Sequence, residues 1–416
     1  MFAYRWQLAV LLFCAAAVNY ADRTSVSAVL PLLRAGLGLS DIALGGIGTA
    51  FLWAYALGSP AAGVLADRWP RGRLLLFSLI AWSVITALTS TVGNYWQLAC
   101  TRVLLGLAEC LYLPAATAMI ADYHGRSTRG TAMGLHSAGL NLGLIGGGVT
   151  AGYLGDHYGW RAGFLLLGLA GVVLAVVSWR RLAHPPVPDP AECAARPPAR
   201  PLSTLSKDLL YLLTVPSYLI LMGKSMLLSV GIWTFFNWLP LYFNESFGLS
   251  LAAAGFSGTF PLQVAATVGV LCGGLASDRF ARRGTRYRML FQAFCYLASA
   301  PFLLAFLGRP GLLYISACIF GFSLLRGMGQ SNENPLICEI IPQSLRSTAL
   351  GLVNLMNSLT GGMGVLFAGV LKSRFSLGGV FAATASLMAL ASLLLLIGFR
   401  YFLDRDLARR DRWDPA

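Results

Sequence analysis

The sequence predicts an all-α membrane protein, with twelve transmembrane helices in two pseudo-symmetric six-helix bundles and both termini cytoplasmic. Three observations carry this reading. The first is composition: of 416 residues, 56% are hydrophobic and 12% charged, with a mean hydropathy of +0.67, whereas a soluble globular chain carries about 25% charged residues. The apolar residues come in runs of roughly 20, the length an α-helix needs to cross the hydrocarbon core. The short alternating segments of a membrane β-barrel are not seen.

The second observation is an internal repeat. Gly63-Val64-Leu65-Ala66-Asp67-Arg68 recurs as Gly274-Leu275-Ala276-Ser277-Asp278-Arg279, and Arg129-Gly130-Thr131-Ala132-Met133-Gly134-Leu135 recurs as Arg346-Ser347-Thr348-Ala349-Leu350-Gly351-Leu352. Arg102 with Glu109 is echoed by Arg326 with Glu333. The offsets of 211, 217 and 224 drift only as loop lengths allow, so the halves are parallel repeats.

The third is the distribution of charge. The net charge is +14, and most of the 31 lysines and arginines fall in the termini and in the loops on one side. Arg34, Arg161, Arg309, Lys372 and Arg374 fall on the other side, and Arg23, Arg102, Lys224 and Arg326 lie inside spans. The positive-inside rule accounts for the basicity and sets the orientation, which leaves no reason to invoke nucleic acid.

In chain order the spans are expected at roughly 6–33, 41–66, 74–92, 95–121, 130–155, 161–179, 212–244, 250–277, 289–307, 311–341, 347–371 and 378–399. The first carries Asn19-Tyr20-Ala21-Asp22-Arg23 near mid-depth, where a charge costs at least ~2.5 kcal/mol and is a functional candidate by default. Its start, with Arg5 and Ala15-Ala16-Ala17, also has the look of a cleavable signal peptide, but cleavage would leave eleven spans and break the repeat. The second span closes on Gly63 to Arg68 and the fourth carries Arg102 and Glu109. Gly139, Gly143 and Gly147 of the fifth put small residues on one face, as close helix contact in lipid requires; the same span holds His136 and Asn141.

Seven prolines between Pro185 and Pro201 mark residues 184–208 as an extended linker between a bundle at 1–183 and a bundle with a short basic tail at 209–416. In the second half Lys224, Arg326 and Glu333 are ionisable. Lys224 also suits snorkelling to the interface. Trp233, Asn237, Gln263, Gln330, Asn332, Asn354 and Asn357 offer hydrogen bonds, and Gly361, Gly362, Gly364 and Gly369 loosely repeat the glycine face. The eight cysteines show no metal-ligand spacing and read as small apolar residues.

Geometry limits the pairings. Arg102 and Glu109, seven apart in one helix, lie about 10 Å apart along its axis, and the neighbours Asp22 and Arg23 point about 100° apart. Partners must come from other helices, and Asp22 with Arg102 is the expected pair. Two six-helix halves with charges at mid-depth suit a substrate site reached by alternating access. Four intraspan cations against Asp22, Glu109 and Glu333 favour an anion. No phosphate-binding loop or catalytic constellation is visible, so no enzyme is expected.

The run Gly63…Asp67-Arg68…Arg71-Gly72-Arg73, with Pro70 where glycine is usual, resembles the loop motif of the major facilitator superfamily. Within it, Asn19 to Arg23, Trp53-Ala54-Tyr55, and Arg102 through Glu109 to Pro114 resemble the anion:cation symporters. These include bacterial galactonate, glucarate and hexuronate symporters, sialin and the vesicular glutamate transporters. The resemblance implies the major facilitator fold and proton-coupled import of a small organic anion. Asp22 and Glu109 then match proton-linked carboxylates, Arg23 and Arg102 charge-pairing and anion-binding arginines, and Tyr20 and Tyr55 aromatic site residues. Leu140, beside Asn141, stands where sugar-acid members often carry glutamine.

The expected substrate site is therefore Arg23, Arg102, Tyr20, Tyr55, Asn141, Asn237, Glu333, Arg326, Asn354 and Asn357. Asp22 and Glu109 couple protons, and Gly63, Asp67, Arg68, Arg71, Asp278 and Arg279 form a gating motif. Beyond protons no cofactor or metal is expected. The expected partners are the substrate anion and the bilayer of the inner membrane, with the chain a monomer. The alternatives are a spinster-like lysolipid transporter, a proton-driven exporter and a ligand sensor of transporter shape.

Overall fold

A computed structural model describes residues 2–125, 128–186, 205–281, 284–308 and 311–413. Most of the linker expected at 184–208 lies outside the described residues, as does the side chain of Asp67. All regular structure among the described residues is helical. The first half runs α1 (Phe2–Ala28), α2 (Leu30–Leu37), α3 (Asp41–Arg68), α4 (Arg71–Thr89), α5 (Tyr95–Glu109), α6 (Tyr112–Tyr123), α7 (Arg129–Tyr158) and α8 (Trp160–Ala183). The second runs α9 (Leu205–Leu213), α10 (Pro216–Phe247), α11 (Leu251–Ala281), α12 (Thr285–Leu303), α13 (Leu312–Gln330), α14 (Glu333–Ile340), α15 (Arg346–Lys372), α16 (Leu377–Tyr401) and α17 (Leu403–Trp413).

Three expected spans are each split into two helices, and proline chemistry gives the reason. Proline has no N–H for the carbonyl four residues earlier, and its ring crowds that carbonyl. Pro31, Pro114 and Pro335 follow the breaks between α1 and α2, α5 and α6, and α13 and α14. The latter two flank the repeated glutamates, one break falling just after Glu109 and the other just before Glu333. Side-chain caps start other helices: Ser40 accepts from the Ala43 amide at 3.2 Å, and Asn94 from that of Gln97 at 3.0 Å.

Ten helical stretches are long and apolar enough to cross a membrane. α1 and α7, with 27 and 30 residues, are long enough but more polar, and α7 is rich in glycine. These two pack on each other. A Cβ at Gly139, Gly143 or Gly147 would strike the backbone of Phe13, Ala17 or Ala21, so both helices present every fourth residue to the seam. The glycine stripe thus seats the helix that carries Asp22 and Arg23.

The chain forms two compact units, Met1–Ala199 with Phe236–Thr259, and Arg200–Phe235 with Phe260–Ala416. Segment 236–259 is held in the first unit by another face of α7. Gly148 lies against Gly255, a Cβ at Gly152 would strike the Leu251 backbone, and the Asp156 carboxylate accepts from the Leu251 and Ala252 amides at 3.1 Å each. That carboxylate satisfies free donors at the positive end of α11. Arg34 pairs with Glu245 at 2.7 Å and with Asp41. In the second unit, Gly361 and Gly364 of α15 seat Trp233 and the Val230 backbone of α10.

Gly143→Ala should destabilise the protein by about 1–3 kcal/mol through overpacking. Gly134→Ala, whose added methyl meets nothing within 4 Å, should be neutral or slightly stabilising. Thermal unfolding in detergent measures both, and equal effects would show that the α1–α7 seam is not close-packed.

Candidate functional site

α1 delivers its two charges in different directions. Arg23 turns to the end of α5, where its Nε donates to Glu109 Oε2 at 2.7 Å. Its guanidinium also lies over the rings of Tyr20, Tyr55 and Phe51, with centroids at 4.5, 4.7 and 5.2 Å. Glu109 is fully buried and is the last residue of α5, the negative end of the helix dipole. Burial and dipole both act against a bare carboxylate, and the Arg23 guanidinium opposes them. The aromatic faces in turn supply favourable electrostatics for the cation.

Asp22 turns to α4 and accepts from the Thr86 hydroxyl. Arg102 donates to Thr89 Oγ1 at 2.9 Å and lies over Phe164 at 5.4 Å. Thr86 and Thr89, three apart, share one face of α4. The direct pair is therefore Arg23 with Glu109, and the expected contact of Asp22 with Arg102 is replaced by neighbouring threonine anchors. Asn19 is fully buried, and neither polar atom of its side chain has a partner among the described residues; Asp22 Oδ1 and Arg102 Nε are likewise unpartnered. Buried groups of this kind call for water or ligand.

Asn141 is half-buried on α7. His136 is buried, and its Nε2 shares the Tyr112 hydroxyl, at 3.1 Å, with the Leu12 carbonyl, which makes it a packing residue. In the second unit Lys224 is fully buried and does not snorkel: its Nζ is 3.4 Å from Glu333 Oε1. Arg326 donates to Gln330 at 2.8 Å. Asn237 and Asn357 are half-buried, with one side-chain atom each lacking a partner among the described residues, and Asn354 is exposed.

The loop motif resolves into a repeated ion pair. Arg71 bonds to the Asp122 carboxylate and, at 3.1 Å, to the Ala118 carbonyl. Arg288 lies 3.3 Å from Glu339 and 3.4 Å from Asp278. Arg71 to Arg288 and Asp122 to Glu339 both carry the offset of 217 that relates Arg129 to Arg346. That offset was the signal by which Asp122, Arg288 and Glu339 could have been found. Arg68, Asp278 and Arg279 are exposed, and a Cβ at Gly63 would meet nothing within 4 Å. Among the described residues no cluster of three or more His, Cys, Asp or Glu side chains could hold a metal ion.

Residues 12–364 match the family model of the Major Facilitator Superfamily, and the chain belongs to that superfamily of membrane transporters. Its fold implies twelve spanning helices, which the ten apolar stretches supply together with α1 and α7. The chain is 26% identical to a probable galactarate/D-glucarate transporter of Bacillus subtilis, covering 95% of this chain and 92% of that one. It is 27% identical to an MFS-type efflux pump of Mycolicibacterium smegmatis, covering 99% of this chain and 95% of that one. In fold it is similar to a bacterial homologue of the human lysosomal transporter Spinster, in an inward-facing, occupied conformation, with a TM-score of 0.77, 20% identity and 99% of each chain covered.

Removing one member of a buried ion pair typically costs about 3–5 kcal/mol. Glu109→Leu, which strands Arg23, should lose stability on that scale, and the double variant Arg23→Met with Glu109→Leu should regain much of it. Denaturation of the purified proteins measures this, and a Glu109→Leu protein as stable as the parent would remove the pair from the account.

Proposed function

We propose that this chain imports a small organic anion together with protons, by alternating access in the cytoplasmic membrane, with both termini in the cytoplasm. The observation that carries this is the enclosed Arg23–Glu109 pair at 2.7 Å, with Arg102 and Asp22 anchored on α4 beside it. A substrate carboxylate that engages Arg23 takes the counter-ion away from Glu109. In a water-poor site the released Glu109 is then neutral rather than charged, so anion and proton enter together, each removing the other's electrostatic cost.

Arg102 offers a second fork for a planar carboxylate, Tyr20 and Tyr55 shape the walls, and Asn19 supplies unused amide groups. The pairs Arg71–Asp122 and Arg288–Glu339 belong to the gating elements of the two repeats, at 1–183 and 209–416. The relative named for galactarate and D-glucarate supports a sugar acid as substrate. The relative named an efflux pump supports a second reading, export by the same coupling.

Proteoliposomes loaded or bathed with labelled galactarate, under an imposed pH gradient of either sign, test both readings. Uptake driven by an acidic outside supports import, efflux driven by it supports exchange for protons, and no movement of any organic acid overturns the function. In the same assay Glu109→Gln should lose proton-driven accumulation while keeping counterflow exchange. Arg102→Lys should lose at least about tenfold in uptake, since an ammonium cannot reproduce the bidentate fork. If Glu109→Gln and Asp22→Asn both still accumulate substrate against its gradient, the carboxylates are structural.

A further inference from the structure

The charges of the first unit's spans balance, with Arg23 and Arg102 set against Asp22 and Glu109. Those of the second do not, with Lys224 and Arg326 set against Glu333 alone. The guanidinium of Arg326 is bonded to a neutral amide, that of Gln330, and its Nε has no partner among the described residues. Lys224 is fully buried on α10. Its 3.4 Å contact with Glu333 Oε1 is longer than the roughly 2.7–2.9 Å of a charge-assisted hydrogen bond, and its Nζ forms no hydrogen bond among the described residues. Three N–H donors on a fully buried ammonium therefore have only this long contact among the described residues.

The other neighbours do not relieve this. The Tyr296 ring lies 5.6 Å from Nζ, and the Ser225 hydroxyl donates to the same Glu333 oxygen and so draws it away from exclusive pairing with Lys224. Glu333 starts α14, just after the break ahead of Pro335, and its side chain keeps 17% of its surface exposed. It is thus a carboxylate at the edge of the site, holding a cation that lies wholly inside.

We propose that Lys224 is a carboxylate ligand for the transported anion, and that Glu333 is an internal stand-in that occupies this cation until a substrate carboxylate displaces it. This rests on the organic-anion reading above and extends it to a residue that reading does not use. A lysine whose resident counter-ion is loose and accessible can exchange it for a better-placed carboxylate at little electrostatic cost. On release of the substrate, Glu333 returns to the cation and speeds departure. An internal competitor of this kind lowers affinity and raises turnover.

The test is the binding of galactarate and D-glucarate to the purified full chain, read by calorimetry, for the parent, Lys224→Gln, Glu333→Gln and the double variant. Glu333→Gln should bind several-fold tighter and transport more slowly, because the competitor is gone. Lys224→Gln should bind at least tenfold more weakly, with the double variant resembling it, and Lys224→Arg should bind within a few-fold of the parent. A static ion pair predicts the reverse pattern: Glu333→Gln weaker or unchanged, and the double variant restored toward the parent. That result, or parental affinity in Lys224→Gln, overturns the proposal. A parent that binds neither of these diacids nor galactonate would instead remove the organic-anion reading on which the proposal rests.

Discussion

An arginine inside a membrane-spanning bundle is costly unless something offsets its charge, and the 2.7 Å contact from Arg23 to Glu109 is the one on which the first unit depends. The pair is assembled from two helices that end or turn nearby. The fourth span breaks just after Glu109, three residues ahead of Pro114 in the helix that follows, and the glycine face of α7 holds α1 in the register that aims Arg23 at it. Tyr20, Tyr55 and Phe51 then close around the cation without adding an opposing charge. A pair enclosed this way is costly to break by removing one member, and the proposed coupling requires that a substrate carboxylate replace Glu109 in it.

The second unit reuses the plan with different chemistry. Arg326 and Glu333 repeat Arg102 and Glu109 on a span that is also broken beside its glutamate, but before it rather than after it, and the carboxylate is met by Lys224 and Ser225 of α10. The loop pairs Arg71–Asp122 and Arg288–Glu339 keep the repeat more strictly, with the same donor, the same offset and one methylene of difference in the acceptor. Charge is kept between the halves at the loops and differs at the buried pairs.

Much of this was legible in the sequence. An ionisable residue in an apolar run stands out by its cost alone, so Asp22, Arg23, Arg102 and Glu109 could be named without a structure. The repeat fixed the two-bundle plan. Pairing could not be read, because it depends on how each helix is rotated about its axis, and a rotation of one residue decides whether Arg23 or Asp22 meets α5. Thr86 and Thr89 were passed over because hydroxyls are common in apolar helices and usually bond their own backbone. Lys224 looked able to reach an interface by its stem, and only its full burial shows that it does not.

The central claim is that Glu109 surrenders its arginine and gains a proton when substrate binds. Infrared difference spectroscopy of the purified protein, recorded on adding galactarate, observes this directly. The account predicts a protonated-carboxyl band that appears in the parent on binding and is missing from Glu109→Gln. Binding without such a band, or with the same band in both proteins, would contradict it.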